Sequence, residues 1–305
     1  GPALQLYLMA GAGMGALLGI MAVFLVNLMD RSVTTVREGQ ELYEYPLLGL
    51  IPAWKKLKPS AFQELETPSL LVREPQTVPI LEAYQALQAN LKFSYLDKPL
   101  KTITVTSAVA GEGKSEVVAN LALTLAQIGH RVLVIDANMR NPIQHHIWDI
   151  HNFQGLSNVV AGQLALREAI VRKEPKLHVL PVGAIPPNPL AILESEQISA
   201  LLQQCQKVYD YIIIDTPAIL GLADTLTLGR ITDGILLAMQ PGLVNVDSIK
   251  AAKTMLLQSK QKVLGLVANG IKVKGYADQY YSYNQEQIVS QSNDSIPMLS
   301  GAVNQ

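Results

Sequence analysis

Ser107-Ala108-Val109-Ala110-Gly111-Glu112-Gly113-Lys114-Ser115 decides the fold of this chain. It follows an alternating β-branched run, Thr102 to Thr106, and opens into an amphipathic helical pattern from Ser115 to Ile128 that Gly129 closes. Strand, glycine-bearing loop, Gly-Lys-Ser and helix is the order of a phosphate-binding loop. The generic pattern has glycine where Ala108 stands, a tolerated variant. Backbone N–H groups of such a loop, together with a helix N-terminus, cradle phosphate. Gly111, Glu112 and Gly113 form the loop, Lys114 reaches the β- and γ-phosphates, and the Ser115 hydroxyl reaches magnesium.

Around this loop, apolar runs alternate with helical patterns. The sequence predicts strands at Thr102–Thr106, Val132–Ile135, His178–Val182, Tyr211–Ile214, Ile235–Met239 and Val263–Ala268. It predicts helices at Ile80–Tyr95, Ser115–Ile128, Leu164–Val171, Ala191–Val208 and Val246–Ser259. Near-continuous apolar strands mean burial on both faces, and alternation with helices means a doubly wound, mostly parallel α/β sheet flanked by helices. Ligands of such sheets bind at the carboxyl ends of the strands.

Two aspartates end predicted strands. Asp136 closes Val132–Ile135 and begins Asp136-Ala137-Asn138-Met139-Arg140; Asp215 closes Tyr211–Ile214 and begins Asp215-Thr216-Pro217. Beside a phosphate loop, a carboxylate in that place orders the shell of magnesium, a hard cation that takes oxygen ligands. The bland reading of either aspartate alone is a helix N-cap or turn residue; with Gly113-Lys114-Ser115 the pair points to a nucleotide site. These motifs do not distinguish hydrolysis from phosphoryl transfer.

The flanks add a setting. Leu4 to Met29 carries no formal charge and is long enough for one transmembrane helix, so residues 1–29 are expected to span a membrane. Gly11, Gly15 and Gly19 recur on one face, a spacing that lets membrane helices approach closely. Arg31, Arg37, Lys55, Lys56 and Lys58 follow the span, which puts the remainder in the cytoplasm. The chain begins Gly-Pro without methionine and is expected to be part of a longer protein. Residues 30–75 read as a juxtamembrane connector, with Leu47–Pro52 as a strand docked on the globular part; residues 76–273 hold the nucleotide-binding domain and residues 274–305 a tail. A net charge of -1 points away from nucleic acid, and a single cysteine, Cys205, excludes an intrachain disulfide framework.

Together these features resemble the bacterial tyrosine kinase domain of polysaccharide copolymerases. The resemblance rests on Gly111-Glu112-Gly113-Lys114-Ser115 with the following Ala119-Asn120-Leu121, on Asp136-x-Asn138-x-Arg140, and on Asp215-Thr216-Pro217. It implies a membrane-anchored kinase of the bacterial inner membrane that uses ATP and Mg2+, self-associates, phosphorylates its own copies and regulates the polysaccharide polymerisation and export machinery. It implies catalytic roles for Lys114, Asp136, Asp215 and Arg140, and metal binding by Ser115, Asp136 and Asp215. Asp136 is also the candidate base, and Asn269 a candidate adenine contact. The acceptors are Tyr276, Tyr280, Tyr281 and Tyr283, four tyrosines within a segment otherwise rich in Gln, Ser and Asn. Phosphate on them would add negative charge and repel neighbouring tails.

Rival readings are a nucleotide-binding subunit without kinase activity and a membrane-bound partition-type ATPase. The ATPases place a signature lysine where Val109 stands. Asn138 replaces the family's second aspartate, and an amide cannot accept a proton as a carboxylate does. Glu82-x-x-Gln85-x-x-Gln88 replaces an ion-pairing Glu-x-x-Arg-x-x-Arg helix used between subunits. His145, His146 and His151 lack a cysteine framework and read as loop or helix residues rather than metal ligands.

Overall fold

The chain's computed structural model describes residues 9, 11, 13–21, 31–53, 70, 78–94 and 99–272. One eight-stranded sheet organises it, in the order β1-β8-β7-β2-β6-β3-β5-β4. The strands are β1 (Leu47–Pro52), β2 (Thr102–Ser107), β3 (Val132–Asp136), β4 (Val171–Glu174), β5 (Leu177–Leu180), β6 (Tyr211–Asp215), β7 (Gly234–Met239) and β8 (Val263–Ile271). All neighbours are parallel except β4 and β5. The expected doubly wound parallel sheet is therefore present.

Side-chain alternation explains the layers. Val132 and Val134 of β3 pack with α3 (Val78–Ser94) and α4 (Lys114–Gln127), whereas Leu133 and Ile135 pack with α9 (Glu196–Gln206). This is the period of two that a sheet buried on both faces requires. The second face holds two apolar clusters: one under α9, the other under α2 (Val36–Tyr43) and α11 (Val246–Gln258). Between them β2 presents Thr102, Thr104 and Thr106, all fully buried. Each hydroxyl finds a partner: Thr102 Oγ1 donates to Asp233 Oδ2 (2.8 Å), Thr104 Oγ1 meets Thr232 Oγ1 (3.0 Å), and Thr106 Oγ1 donates to the Pro217 carbonyl (2.7 Å). A polar seam on the central strand is tolerable because it is satisfied.

Helix α4 stops where the sequence says. Gly129 has φ +106°, its N–H donates to Ala126 O, and His130 N–H reaches back to Leu125 O, the Schellman pattern.

Residues 31–53 fold onto the sheet. Val33 exchanges backbone hydrogen bonds with the loop after β7, donating to Val244 O (2.9 Å) and accepting from Gly242 N (2.7 Å). Thr35 caps α2 by accepting from Glu38 N–H, and β1 then pairs with β8. Gly39 packs directly against the end of the Met239 side chain, which a Cβ would have to displace. Upstream, residues 13–21 form α1, whose Met14, Leu17, Leu18, Ile20 and Met21 are all exposed. Gly11, Gly15 and Gly19 have open space where a Cβ would stand. Among the described residues no helix is long and apolar enough to cross a membrane; Leu4–Met29 lies partly outside them.

Two predicted helices differ. Leu164–Val171 is only a single-turn helix, α7 (Leu166–Ala169), and Val171 starts the edge strand β4, which turns back through Pro175-Lys176 into β5. So short a helical stretch gains little by propagation, and the hairpin wins. Ala191–Val208 splits into α8 (Pro189–Leu193) and α9, with Ser195 extended between them. Leu193, Ile198 and Leu201 still enter one cluster, so apolar spacing alone does not reveal the break. Three further short helices carry no strong periodicity: α5 (Gln144–Ile147), α6 (Leu156–Val160) and α10 (Asp224–Gly229).

Candidate active site

The phosphate loop joins the carboxyl end of β2 to α4. Gly111 (φ +90°) and Gly113 (φ +81°) hold backbone conformations that L side chains rarely adopt. Gly113 caps α4 without a side-chain hydrogen bond, so the cap residue itself does not compete with an anion for the first-turn amides. Lys114 and Ser115 open the helix.

The loop is braced from behind. Glu112 is fully buried, and its carboxylate accepts from Val109 N–H (2.8 Å) and from Gln240 N–H (3.2 Å), just past β7. Burial pushes this carboxyl up to about 7, against the pull of the surrounding amides and Lys114. Asn269, on β8, donates its amide to Glu112 O (3.3 Å), and a Cβ on Gly113 would run into that amide. As placed, Asn269 is engaged with the loop.

Asp136 and Asp215 face each other in register on β3 and β6. Both are fully buried. Asp136 Oδ1 accepts from Asn138 N–H (3.1 Å), and Oδ2 from Ile143 N–H (3.1 Å) and Gln144 N–H (3.0 Å). Asp215 Oδ2 accepts from Gln144 Nε2 (2.8 Å), while its Oδ1 is buried without a hydrogen-bond partner. Burial, then the neighbouring Asp215, raises the Asp136 carboxyl; burial raises Asp215, opposed first by the Lys114 charge. Two adjacent buried carboxyls, a bare oxygen and the Ser115 hydroxyl form a hard-oxygen donor set that fits magnesium.

Arg140 is engaged with a residue the sequence did not flag. Its Nε donates to Asp224 Oδ2 (2.9 Å) and its Nη2 to Asp224 Oδ1 (3.2 Å). Asp224 lies buried in the first turn of α10. Asn138 is also buried, and its Oδ1 accepts from Asn141 N–H (3.3 Å), capping its own turn. Gln144 was invisible as a site residue; its only signal is the four-residue spacing to Trp148, which puts both on one helix face.

Other candidates lie apart. The His145 and His146 rings contact each other at 3.9 Å and His151 stacks on Phe153. Among the described residues no group of three or more His, Cys, Asp or Glu side chains is placed to hold a metal. On α3, Ile80, Tyr84, Leu87 and Leu91 are buried, while Glu82 and Gln85 are exposed. Tyr276, Tyr280, Tyr281 and Tyr283 lie outside the described residues. A cavity of about 410 Å³ opens beside Leu91, Pro99, Leu125 and Tyr211, at the amino ends of β2 and β6. It is at the opposite edge of the sheet from the phosphate loop and takes no part in this site.

The chain as a whole is similar to known proteins in sequence and in fold. The AAA domain family matches residues 100–265. Tyrosine-protein kinase YwqD of Bacillus subtilis is 37% identical over 201 residues, 66% of this chain and 85% of that protein. Tyrosine-protein kinase wzc of Salmonella typhi is 27% identical over 296 residues, 93% of this chain but only 41% of that protein. The kinase domain of Escherichia coli tyrosine kinase ETK superposes with a TM-score of 0.71 at 28% identity, covering 78% of this chain and 95% of that one. With its phosphate loop and in-register aspartates on an AAA domain, the chain belongs to the bacterial tyrosine-protein kinases.

Proposed function

We propose that this chain is a membrane-anchored protein tyrosine kinase that uses ATP with Mg2+ to phosphorylate Tyr276, Tyr280, Tyr281 and Tyr283 of its own copies. It acts within the machinery that polymerises and exports polysaccharide. The observation that carries this reading is the in-register pair Asp136 and Asp215 beside Lys114 and Ser115, with Asp215 Oδ1 bare. Bound ATP would supply the phosphoryl group, and magnesium would neutralise the charge that develops on it.

The chain's own residues do the positioning. Loop amides and Lys114 hold the phosphates, and Ser115, Asp136 and Asp215 hold the metal directly or through water. Asp136, with a raised carboxyl pKa, orients or accepts the proton of the incoming phenol. Membrane anchoring is supported by the run Leu4–Met29 and by the uncovered apolar side chains of α1. The basic residues that follow the run support a cytoplasmic kinase domain. Asn138 favours a second reading, a nucleotide-binding subunit without kinase chemistry.

Labelled ATP and Mg2+ separate the readings on the full chain in detergent. Phosphotyrosine within residues 276–283, lost when Lys114 becomes Met, is the expected result. Free phosphate without phosphotyrosine would mean an ATPase instead. Nucleotide binding with neither product would mean the subunit without kinase activity.

A further inference from the structure

The residue best placed to set the geometry of the paired aspartates is neither of them. Gln144 is fully buried at the start of α5, and its side-chain amide makes three hydrogen bonds. Nε2 donates to Asp215 Oδ2 (2.8 Å) and to the Ser115 carbonyl (3.0 Å), while Oε1 accepts from Trp148 Nε1 (3.0 Å). An indole N–H can only donate. Trp148 therefore requires the amide oxygen on its side, which leaves the NH2 for the carboxylate and the carbonyl. Turned over, the amide would set its oxygen against both acceptors and its NH2 against the indole. All the partners thus agree on one orientation, and Trp148, 1% exposed, is held in the α4-side core.

Gln144 also touches Asp136, through its backbone N–H to Oδ2 (3.0 Å). One residue is bonded to Ser115, Asp136 and Asp215 together. Its bond to Asp215 occupies Oδ2 and leaves Oδ1 as the bare oxygen. We propose that Gln144, oriented by Trp148, is a positioning residue of the divalent-cation site: it reserves Asp215 Oδ1 for the metal shell and ties the first turn of α4 to both carboxylates. This rests on the magnesium site proposed above.

The test separates metal affinity from nucleotide affinity. ADP binding to the full chain in detergent is measured by calorimetry, first with chelator and then across a Mg2+ titration. Gln144→Glu keeps shape and acceptor but turns the donor into an oxygen facing Asp215; Trp148→Phe keeps an aromatic ring in the core and removes the N–H together with part of the indole's bulk, a packing loss that the measurement under chelation registers. Each is expected to raise the Mg2+ concentration at half-effect roughly tenfold or more, with ADP affinity under chelation within about twofold of the parent. Equal loss of chelated and Mg2+-supported binding would mean general loosening, and an unchanged Mg2+ midpoint in a folded variant would mean no positioning role. Either overturns the proposal. If the parent itself shows no Mg2+ dependence, the metal site beneath it falls as well. Trp148 gives a readout with the network intact: Trp54 is the only other tryptophan. In Trp54→Phe, Mg2+ added to the ADP complex is expected to change Trp148 emission, and silence there counts against the proposal.

Discussion

Asp136 and Asp215 stand across from each other at the carboxyl ends of β3 and β6, fully buried and in register. Such a pair is costly to ionise without a cation, and that cost is measurable.

Both carboxyl pKa values are raised. Between the ordinary carboxylate value and the raised one, the folded chain keeps protons that the unfolded chain has lost. Stability of the nucleotide-free protein therefore falls as pH rises through that window. Asp215→Asn removes one of the two groups and lets its amide oxygen accept from Gln144. Melting of the nucleotide-free protein is expected to rise by about 2–4 °C at pH 8, by less at pH 5, and to lose its Mg2+-ADP dependence. A variant that melts below the parent at pH 8 contradicts this account.

Glu112 braces the phosphate loop through Val109 and Gln240. Glu112→Ala strands those two amides and is expected to lose roughly 1–3 kcal/mol by denaturant titration, with weaker ADP binding. Because its pKa is raised to about 7, the parent's stability also falls from pH 4.5 to about 7 on this group's account. Glu112→Gln should flatten that slope. An Ala variant unchanged in both stability and ADP affinity would show that the brace does nothing.

Asn138 accepts from Asn141 N–H, and a carboxylate can accept the same bond. Asn138→Asp therefore carries little folding penalty from this contact and adds a proton acceptor near Asp136. Initial rates of tail phosphorylation are expected to rise on the order of tenfold or more. No gain in rate, with the fold intact, would locate the limit elsewhere.

Arg140 meets Asp224 with two guanidinium nitrogens, a geometry lysine cannot reproduce. A double-mutant cycle of Arg140→Lys and Asp224→Asn is expected to give a coupling on the order of 2 kcal/mol. If Arg140 also acts on the transferred group, Arg140→Lys lowers kcat more than Asp224→Asn does. Equal effects confine it to the ion pair.

The phosphate loop and both aspartates were legible because each lies at the end of an apolar or β-branched strand, where local pattern and chemistry coincide. The sheet was legible for the same reason: every strand but β4 is a run of mostly apolar or β-branched residues, whereas Val171-Arg172-Lys173-Glu174 is polar and earns its place by pairing with β5. What the pattern does not carry is partnership across the chain. Asp224 is 84 residues from Arg140 and Gln144 is 71 from Asp215, and nothing at either position advertises the other. Gln144 and Trp148 lie close in sequence, but the four-residue helix between them has no side-chain cap to announce it.

Strand β8 runs parallel to β7, which is parallel to β2, so Ile271 leaves the sheet at the edge that holds the phosphate loop. That fixes a tether for whatever follows Lys272. At no more than about 3.6 Å per residue, four residues of chain span at most roughly 14 Å from that root and eleven at most roughly 40 Å, the separations in sequence of Tyr276 and Tyr283 from Lys272. If these tyrosines are the acceptors proposed above, a neighbouring copy must bring its loop inside the shorter radius to meet the first, but only inside the longer one to meet the last. On that proposal, how closely two copies approach would select which phenols are within range.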